Sequence, residues 1–381
     1  MQFSPPRAPR TRGALRLPPI PALLGAALLA AQGPTPASPS RPDAASVIEV
    51  HPCRQLRADR TTAPERQLTW SGQWSTAHAS WRDAVGPALG HRPESDGARE
   101  VALEELAIVS WNMQGGGGDI DSLIHDIRRG RVHGAPRPDF VLLVQEAVRI
   151  GTDVPERPVA GSKVGKRVAP GVQGRRRQSI DEVARRNGLH LFYVPSVRNG
   201  GAADPAEDRG NAILSSVPLD DLEAIELPLE RERRVAVAAR IRTRSATGDS
   251  VAVQLVNLHL DLRSSWGRVH RSLGAARAEQ ARSTVERFTG DSVVVVGGDL
   301  NTWFRGHRED AVRILREAFP HADTVTTTRT LSTPAFLPDL TLDHLFFRLP
   351  GGMSATHAVL GDRYGSDHYP VAAQLRPRAL R

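Results

Sequence analysis

The stretch Val293-Val294-Val295-Val296-Gly297-Gly298-Asp299-Leu300-Asn301 limits what this chain can become more than any other. Four consecutive β-branched residues without a polar partner predict a strand buried on both faces, which needs a packed layer above and below it. The two glycines allow a sharp turn or the close approach of another group. A carboxylate and, two residues on, an amide follow at once. In extended backbone, side chains two apart point the same way, so Asp299 and Asn301 are expected together at the lip of a buried strand. Oxygen donors on a rigid edge suit a hard divalent ion or an activated water. An Asx-type turn that merely closes a core strand accounts for the same residues, and at this point both readings stand.

Regular patterning begins near Leu103. Ala107–Asn112 and Asp139–Ala147, the latter built on the apolar run Phe140–Val144, read as strands, with a helix from Asp119 to Arg129 between them. A long Gly/Pro/basic loop spans Gly151–Gln178, and a helix starts at Ser179-Ile180 and stops at Asn187-Gly188. Strands are expected at Leu191–Val194, Asn211–Ser215, Val235–Thr243 and Val251–Leu260. Helices follow at about Leu273–Phe288 and Glu309–Phe319, then a Thr/Pro-rich loop at Thr324–Pro338 and strands at Leu342–Arg348 and Val371–Leu375. Single strands alternate with helices, yet several strands also follow one another directly. The pattern fits an α/β protein of the α+β type, with mixed sheets and helices outside, better than a purely alternating parallel sheet.

The N-terminus reads differently. Arg7, Arg10, Arg12 and Arg16 precede an apolar run from Leu17 to Ala31, as in a secretory signal; an irregular Pro/Ala tail is the alternative. Residues 1–31 are therefore expected to be a signal peptide, and the protein to be secreted or periplasmic. Residues 32–100 are a linker and an unassigned segment holding Trp70, Trp74 and Trp81, three of the six tryptophans. Residues 101–381 form the expected catalytic domain. With Cys53 as the single cysteine, neither an intramolecular disulfide nor a cysteine zinc site is possible. The formal charge of +8 suits a polyanionic substrate without demonstrating one.

Polar residues abut apolar runs repeatedly along the chain: Asn112, Glu146, His259, Asp299, Asn301, Asp343, His344, Asp367 and His368. Each would be costly to bury without a partner. So many carboxylates, amides and imidazoles at strand ends point to a shared site. Following Asp343 directly, His344 would face the other way and is read as structural. Trp303 and Tyr369 are read as rim packing, Arg175-Arg176-Arg177 as solvated arginines, and Arg209 as an even choice between phosphate contact and none.

On the segments SWNMQ, QE, GNAILSS, NLHL, GGDLNTW, LDHLFF and SDHYPV, in that order, the chain resembles the endonuclease/exonuclease/phosphatase superfamily over about seven-tenths of its length. The resemblance implies a deoxyribonuclease I-like four-layer α/β/β/α sandwich, two mixed β-sheets packed face to face. It also implies catalysis at the sheet rims with Mg²⁺, or Mn²⁺ or Ca²⁺ in its place. Carried over residue by residue, it makes Glu146 the main metal ligand with Asn112 and Asp367 nearby. Asp299 and Asn301 would position the attacking water and a phosphate oxygen. His368, oriented by Asp343, would be general base or phosphate-stabilising group, and His259 would lie on the leaving-group side. The implied enzyme is a phosphodiesterase whose substrate is a phosphoester, foremost nucleic acid, with a lipid headgroup or other small phosphoester as the alternative. No stable protein partner is implied. A catalytically silent binding module on the same fold is a third reading, disfavoured by the intact carboxylates and histidines.

Overall fold

A computed structural model describes residues 47–56, 66–72, 74–94, 100–132, 134–151, 153–168, 177–245, 248–262, 274–290, 293–303, 306–321, 329–333 and 340–377. The expected signal peptide, the centre of the basic loop at 169–176 and most of the Thr/Pro-rich loop lie outside the described residues. In chain order the elements are β1 (Val47–Leu56), β2 (Arg66–Gly72), α1 (Thr76–Arg82), β3 (Leu89–His91), β4 (Val101–Ala102), β5 (Ala107–Asn112), α2 (Ile120–Arg128), β6 (Phe140–Ile150), α3 (Ile180–Asn187), β7 (His190–Arg198), β8 (Glu207–Ser215), β9 (Asp220–Glu226), β10 (Val235–Arg244), β11 (Ser250–His259), α4 (Ala275–Phe288), β12 (Val294–Asp299), α5 (Asp310–Ala318), β13 (Asp343–Arg348), β14 (Met353–Val359) and β15 (Val371–Pro377).

The strands form two mixed sheets. One runs β13-β12-β11-β10-β9-β2, and the other β3-β7-β8-β6-β5-β15-β14. β1 belongs to both: Val47–Cys53 pair antiparallel with β2, and Arg54–Leu56 pair parallel with β3. The parallel pairs β5/β6 and β11/β12 need crossovers, which α2 and α4 supply.

Alternation along each strand sorts residues between layers. Ile108, Val141, Leu143, Leu255, Val295 and Leu345 meet between the sheets. On the outer faces, α2 and α3 bury Ile124, Ile127 and Val183 against Val109, Leu142 and Val144. α4 and α5 bury Ala281, Phe288 and Leu315 against Val256, Val294 and Val296. The valine run is thus covered on both sides, as its composition requires. Gly297 lets the sheets approach: a Cβ there would come within 2.7 Å of Leu143 in the opposite sheet. The result is a four-layer α/β/β/α sandwich.

The tryptophan-bearing segment is threaded into this sandwich. Trp70 on β2 lies against the inter-sheet core, its ring centroid 5.7 Å from that of Trp74, and the Arg82 guanidinium lies 4.3 Å from the Trp74 ring. Both β9 and β14 were missing from the strands expected from sequence. The chain Asp220–Glu226 is too acidic to read as a strand, and it becomes one by pairing between β2 and β10. Among the described residues no helix is long and apolar enough to cross a membrane.

Candidate active site

The parallel crossovers decide where the polar residues gather. β5, β6, β11 and β12 run so that their C-terminal ends share one rim of the sandwich. Register aligns Asn112 with Gln145 in one sheet, and His259 with Asp299 and Asp299 with Asp343 in the other. Asn112 follows Ser110 and Ile108 on the inward face, and Asp299 follows Gly297 and Val295. These side chains therefore meet across the gap between the sheets.

Asp299 is the hub. Its Oδ2 accepts a hydrogen bond of 2.9 Å from Asn112 Nδ2 across that gap. The same oxygen lies 3.6 Å from His259 Nε2 and 3.8 Å from His368 Nε2. Its Oδ1 accepts the Asn301 amide at 2.8 Å. Burial pushes the Asp299 carboxyl up, Asp343 adds to this while His368 opposes it, and the value reaches about 7.

His368 Nδ1 lies 2.8 Å from Asp343 Oδ2. Burial alone would lower its basicity, but the Asp343 carboxylate, helped by Asp299 and Asp367, overrides this and lifts it to about 10. His368 is therefore an imidazolium at neutral pH. His259 is the opposite case: burial, together with Arg234, Arg209 and His368, holds it well below its ordinary value, so it is neutral. Two imidazoles a few ångströms from one carboxylate thus carry different charges.

Glu146 stands beside this cluster because of two bulges. The register of β6 against β8 shifts between Val144 and Ala147, and that of β7 against β8 shifts between Pro195 and Val197. Both flank Gly210, where a Cβ would fall 2.0 Å from Val194 O. Bulges re-aim side chains at sheet rims, and Glu146 takes a left-handed backbone with φ 52°. Its Oε1 lies 3.4 Å from Arg209 Nη1. Asp367 is 39% exposed at its side chain. Burial, with Glu146 and Asp343 adding to it and His368 opposing, raises the Asp367 carboxyl.

Eight residues expected at the site, namely Asn112, Glu146, His259, Asp299, Asn301, Asp343, Asp367 and His368, lie on this one rim, but Asn301 does so differently from expected. Its backbone is left-handed at φ 51°, so extended alternation does not apply to it. Its Nδ2 is turned back to donate to Leu260 O at 2.9 Å. The Asp299–Asn301 pair is therefore an Asx turn and a site edge at once. His344 faces the outer layer and stacks on Phe346 with ring centroids 5.9 Å apart; burial lowers it to about 4. Two expectations are corrected. Arg177 is not a solvated arginine but is buried and ion-paired with Glu207; Arg175 and Arg176 lie outside the described residues. Trp303 is not packed into the rim but is 36% exposed.

Several supporting residues carry no chemical signature in sequence. Ser366 Oγ donates to Asn112 O at 2.7 Å and accepts from His368 N at 3.1 Å, while Trp111 Nε1 donates to His368 O at 3.1 Å. Thr330 Oγ1 accepts from the Asp343 amide at 3.1 Å. Beneath the site, Asn257 Nδ2 donates at 2.8 Å to both Val144 O and Ala212 O, tying one sheet to the other. Asn257 stands in NLHL two residues before His259, where periodicity puts it on the same inward face, which is the signal that could have found it.

Asp299, Asp343 and His368 offer one donor atom each within 4.8 Å of one another, a candidate metal group by donor type. His368, protonated and with Nδ1 engaged by Asp343, has no lone pair left for a cation. On donor chemistry the Glu146 and Asp367 carboxylates, both partly exposed, are the groups that would suit a hard ion that keeps its waters, with the Asn112 amide oxygen, which accepts from Gln114 N at 2.9 Å, as a further oxygen donor.

A family model described as the Endonuclease/Exonuclease/phosphatase family matches residues 109–368. Similar solved structures include an endonuclease/exonuclease/phosphatase family protein from Leptotrichia buccalis C-1013-b, at 12% identity over 71% of this chain and 99% of that one, with a TM-score of 0.47. The endonuclease/exonuclease/phosphatase from Beutenbergia cavernae DSM 12333 is 20% identical over 72% of each chain, with a TM-score of 0.47. Sphingomyelinase C from Streptomyces griseocarneus is 17% identical over 71% of this chain and 98% of that one, with a TM-score of 0.43. No curated protein matches the chain. The matched span runs from the middle of β5 to His368 and so contains every residue of the rim cluster, and the family's enzymes are divalent-metal-dependent hydrolases of phosphoester bonds. This chain belongs to the endonuclease/exonuclease/phosphatase family.

Proposed function

We propose that the protein is a divalent-metal-dependent phosphodiesterase acting by in-line attack of water on phosphorus, with nucleic acid as its substrate. The observation that carries this reading is the Asp299 hub: one carboxylate between a buried imidazolium and a buried neutral imidazole. Asp299, with a value of about 7, is suited to accept the proton of the attacking water. Between the two roles sequence left open for His368, its charge favours the electrostatic one: it keeps its proton and stabilises the phosphoryl oxygens. His259, neutral, offers a hydrogen bond to the leaving oxygen. Asn112 fixes Asp299, and Asp343 fixes the His368 ring. A divalent ion, Mg²⁺ foremost, held by Glu146, Asp367 and Asn112 would neutralise charge on the phosphoryl group. The basic N-terminal run followed by apolar residues supports export to the periplasm or outside the cell.

Plasmid DNA with Mg²⁺ is the test. Nicking by wild type is expected, abolished by EDTA and reduced at least about 10³-fold in His368→Ala. Leu262 and Trp303, 37% and 36% exposed and lying three and four residues beyond the ends of β11 and β12, favour a second reading, a lipid phosphodiester. Turnover of sphingomyelin or a phosphoinositide without nicking would establish that reading instead.

A further inference from the structure

Arg209 on β8 is placed unusually for a cation. Nη1 lies 3.4 Å from Glu146 Oε1 and Nη2 lies 3.6 Å from Glu232 Oε2, with the side chain only 9% exposed. Nε is buried without a hydrogen-bond partner. Well-formed guanidinium–carboxylate contacts are near 2.8 Å, so this guanidinium is shared by two carboxylates and fully engaged by neither. It has little room to leave: a Cβ on Gly165 would come within 3.2 Å of Nη2, so the loop before 168 packs directly on it.

Such a cation supplies part of what a metal supplies to Glu146, a positive charge at the carboxylate, and a second cation arriving there would be repelled by it. Once Glu146 is taken, Nη1 loses its acceptor while Nε already lacks one. A buried guanidinium with unmet donors beside a phosphoester site has a natural acceptor in a phosphoryl oxygen. We propose that Arg209 is a built-in counter-ion for Glu146: it holds that carboxylate in the metal-free protein, weakens metal binding, and turns its donors to the substrate phosphoryl group once metal is bound. This rests on the assignment of Glu146 as a metal ligand.

Calorimetric titration of Mg²⁺ into the full chain tests it, with turnover of a 4-nitrophenyl phosphodiester measured alongside. Arg209→Gln should bind Mg²⁺ about tenfold more tightly and yet show a KM raised about tenfold. Arg209→Lys, which keeps the charge without the planar fork, should bind Mg²⁺ like wild type and still show the raised KM. Glu232→Gln, which leaves Arg209 to Glu146 alone, should bind Mg²⁺ more weakly. A structural role would not move metal affinity and KM in opposite directions. If Glu146→Gln abolishes Mg²⁺ binding while Arg209→Gln fails to tighten it, the counter-ion role is wrong and the Glu146 assignment stands. If Arg209→Gln does not fold, unchanged Mg²⁺ affinity in Glu232→Gln overturns the role by itself. If Glu146→Gln binds Mg²⁺ as wild type does, both fall.

Discussion

His368 owes its charge chiefly to the 2.8 Å approach of Nδ1 to Asp343 Oδ2, with Asp299 and Asp367 adding to it. Its folded value of about 10 lies above the ordinary 6.5. The stabilisation from this pair is therefore fully present below pH 6.5 and is lost as the pH rises through about 10. In EDTA-treated protein, the melting temperature of wild type should exceed that of Asp343→Asn most near pH 6, and the gap should narrow toward pH 10. A gap that stays constant across that range would show that Asp343 does not set the charge of His368. At this scale sequence was informative about residue type and silent about neighbours. Asp299, His259, Asp343 and His368 were legible because a polar side chain ending an apolar strand needs a reason to be there. Ser366 and Thr330 act through a hydroxyl shared by two backbone groups, and Trp111 through an indole N–H aimed at one. Nothing in their spacing marks that. Asn301 was misplaced because alternation holds only while the backbone is extended.

Helices and long strands followed from periodicity. α2, Ile120–Arg128, lies within one residue at each end of the stretch expected from Asp119 to Arg129, and Asp119 caps it by accepting from Ser122 N at 3.1 Å. The valine strand was equally plain. The bulges flanking Gly210 were not, since a bulge is a mismatch between two strands and neither strand alone encodes it. They nonetheless place Glu146 and Arg209 at the rim. Gly210→Ala should cost about 2–3 kcal/mol by urea denaturation, because its Cβ would meet Val194 O at 2.0 Å and the backbone must shift. A cost below about 0.5 kcal/mol would mean that the strand pair adjusts freely and the bulges do not position the site.

For the molecule as a whole, the surprise lies in residues 47–91, whose strands complete both sheets. β2 covers the edge of β9, and β3 covers the edge of β7. Sequence suggested only that the tryptophans pack on something, because β2 and β3 recognise edges formed a hundred or more residues later. Open edges invite aggregation. A chain beginning at residue 44 should therefore be monodisperse by size-exclusion chromatography, and one beginning at residue 101 should aggregate; equal solubility and melting temperature for both would contradict this. Side chains from distant segments converge on one rim, where the proposed hard cation would sit beside the Asp299 hub. Anomalous diffraction from a crystal soaked in Mn²⁺ tests this most directly. A peak is expected about 2.1 Å from carboxylate oxygens of Glu146 and Asp367. No peak there, or a peak only among Asp299, Asp343 and His368, would contradict it.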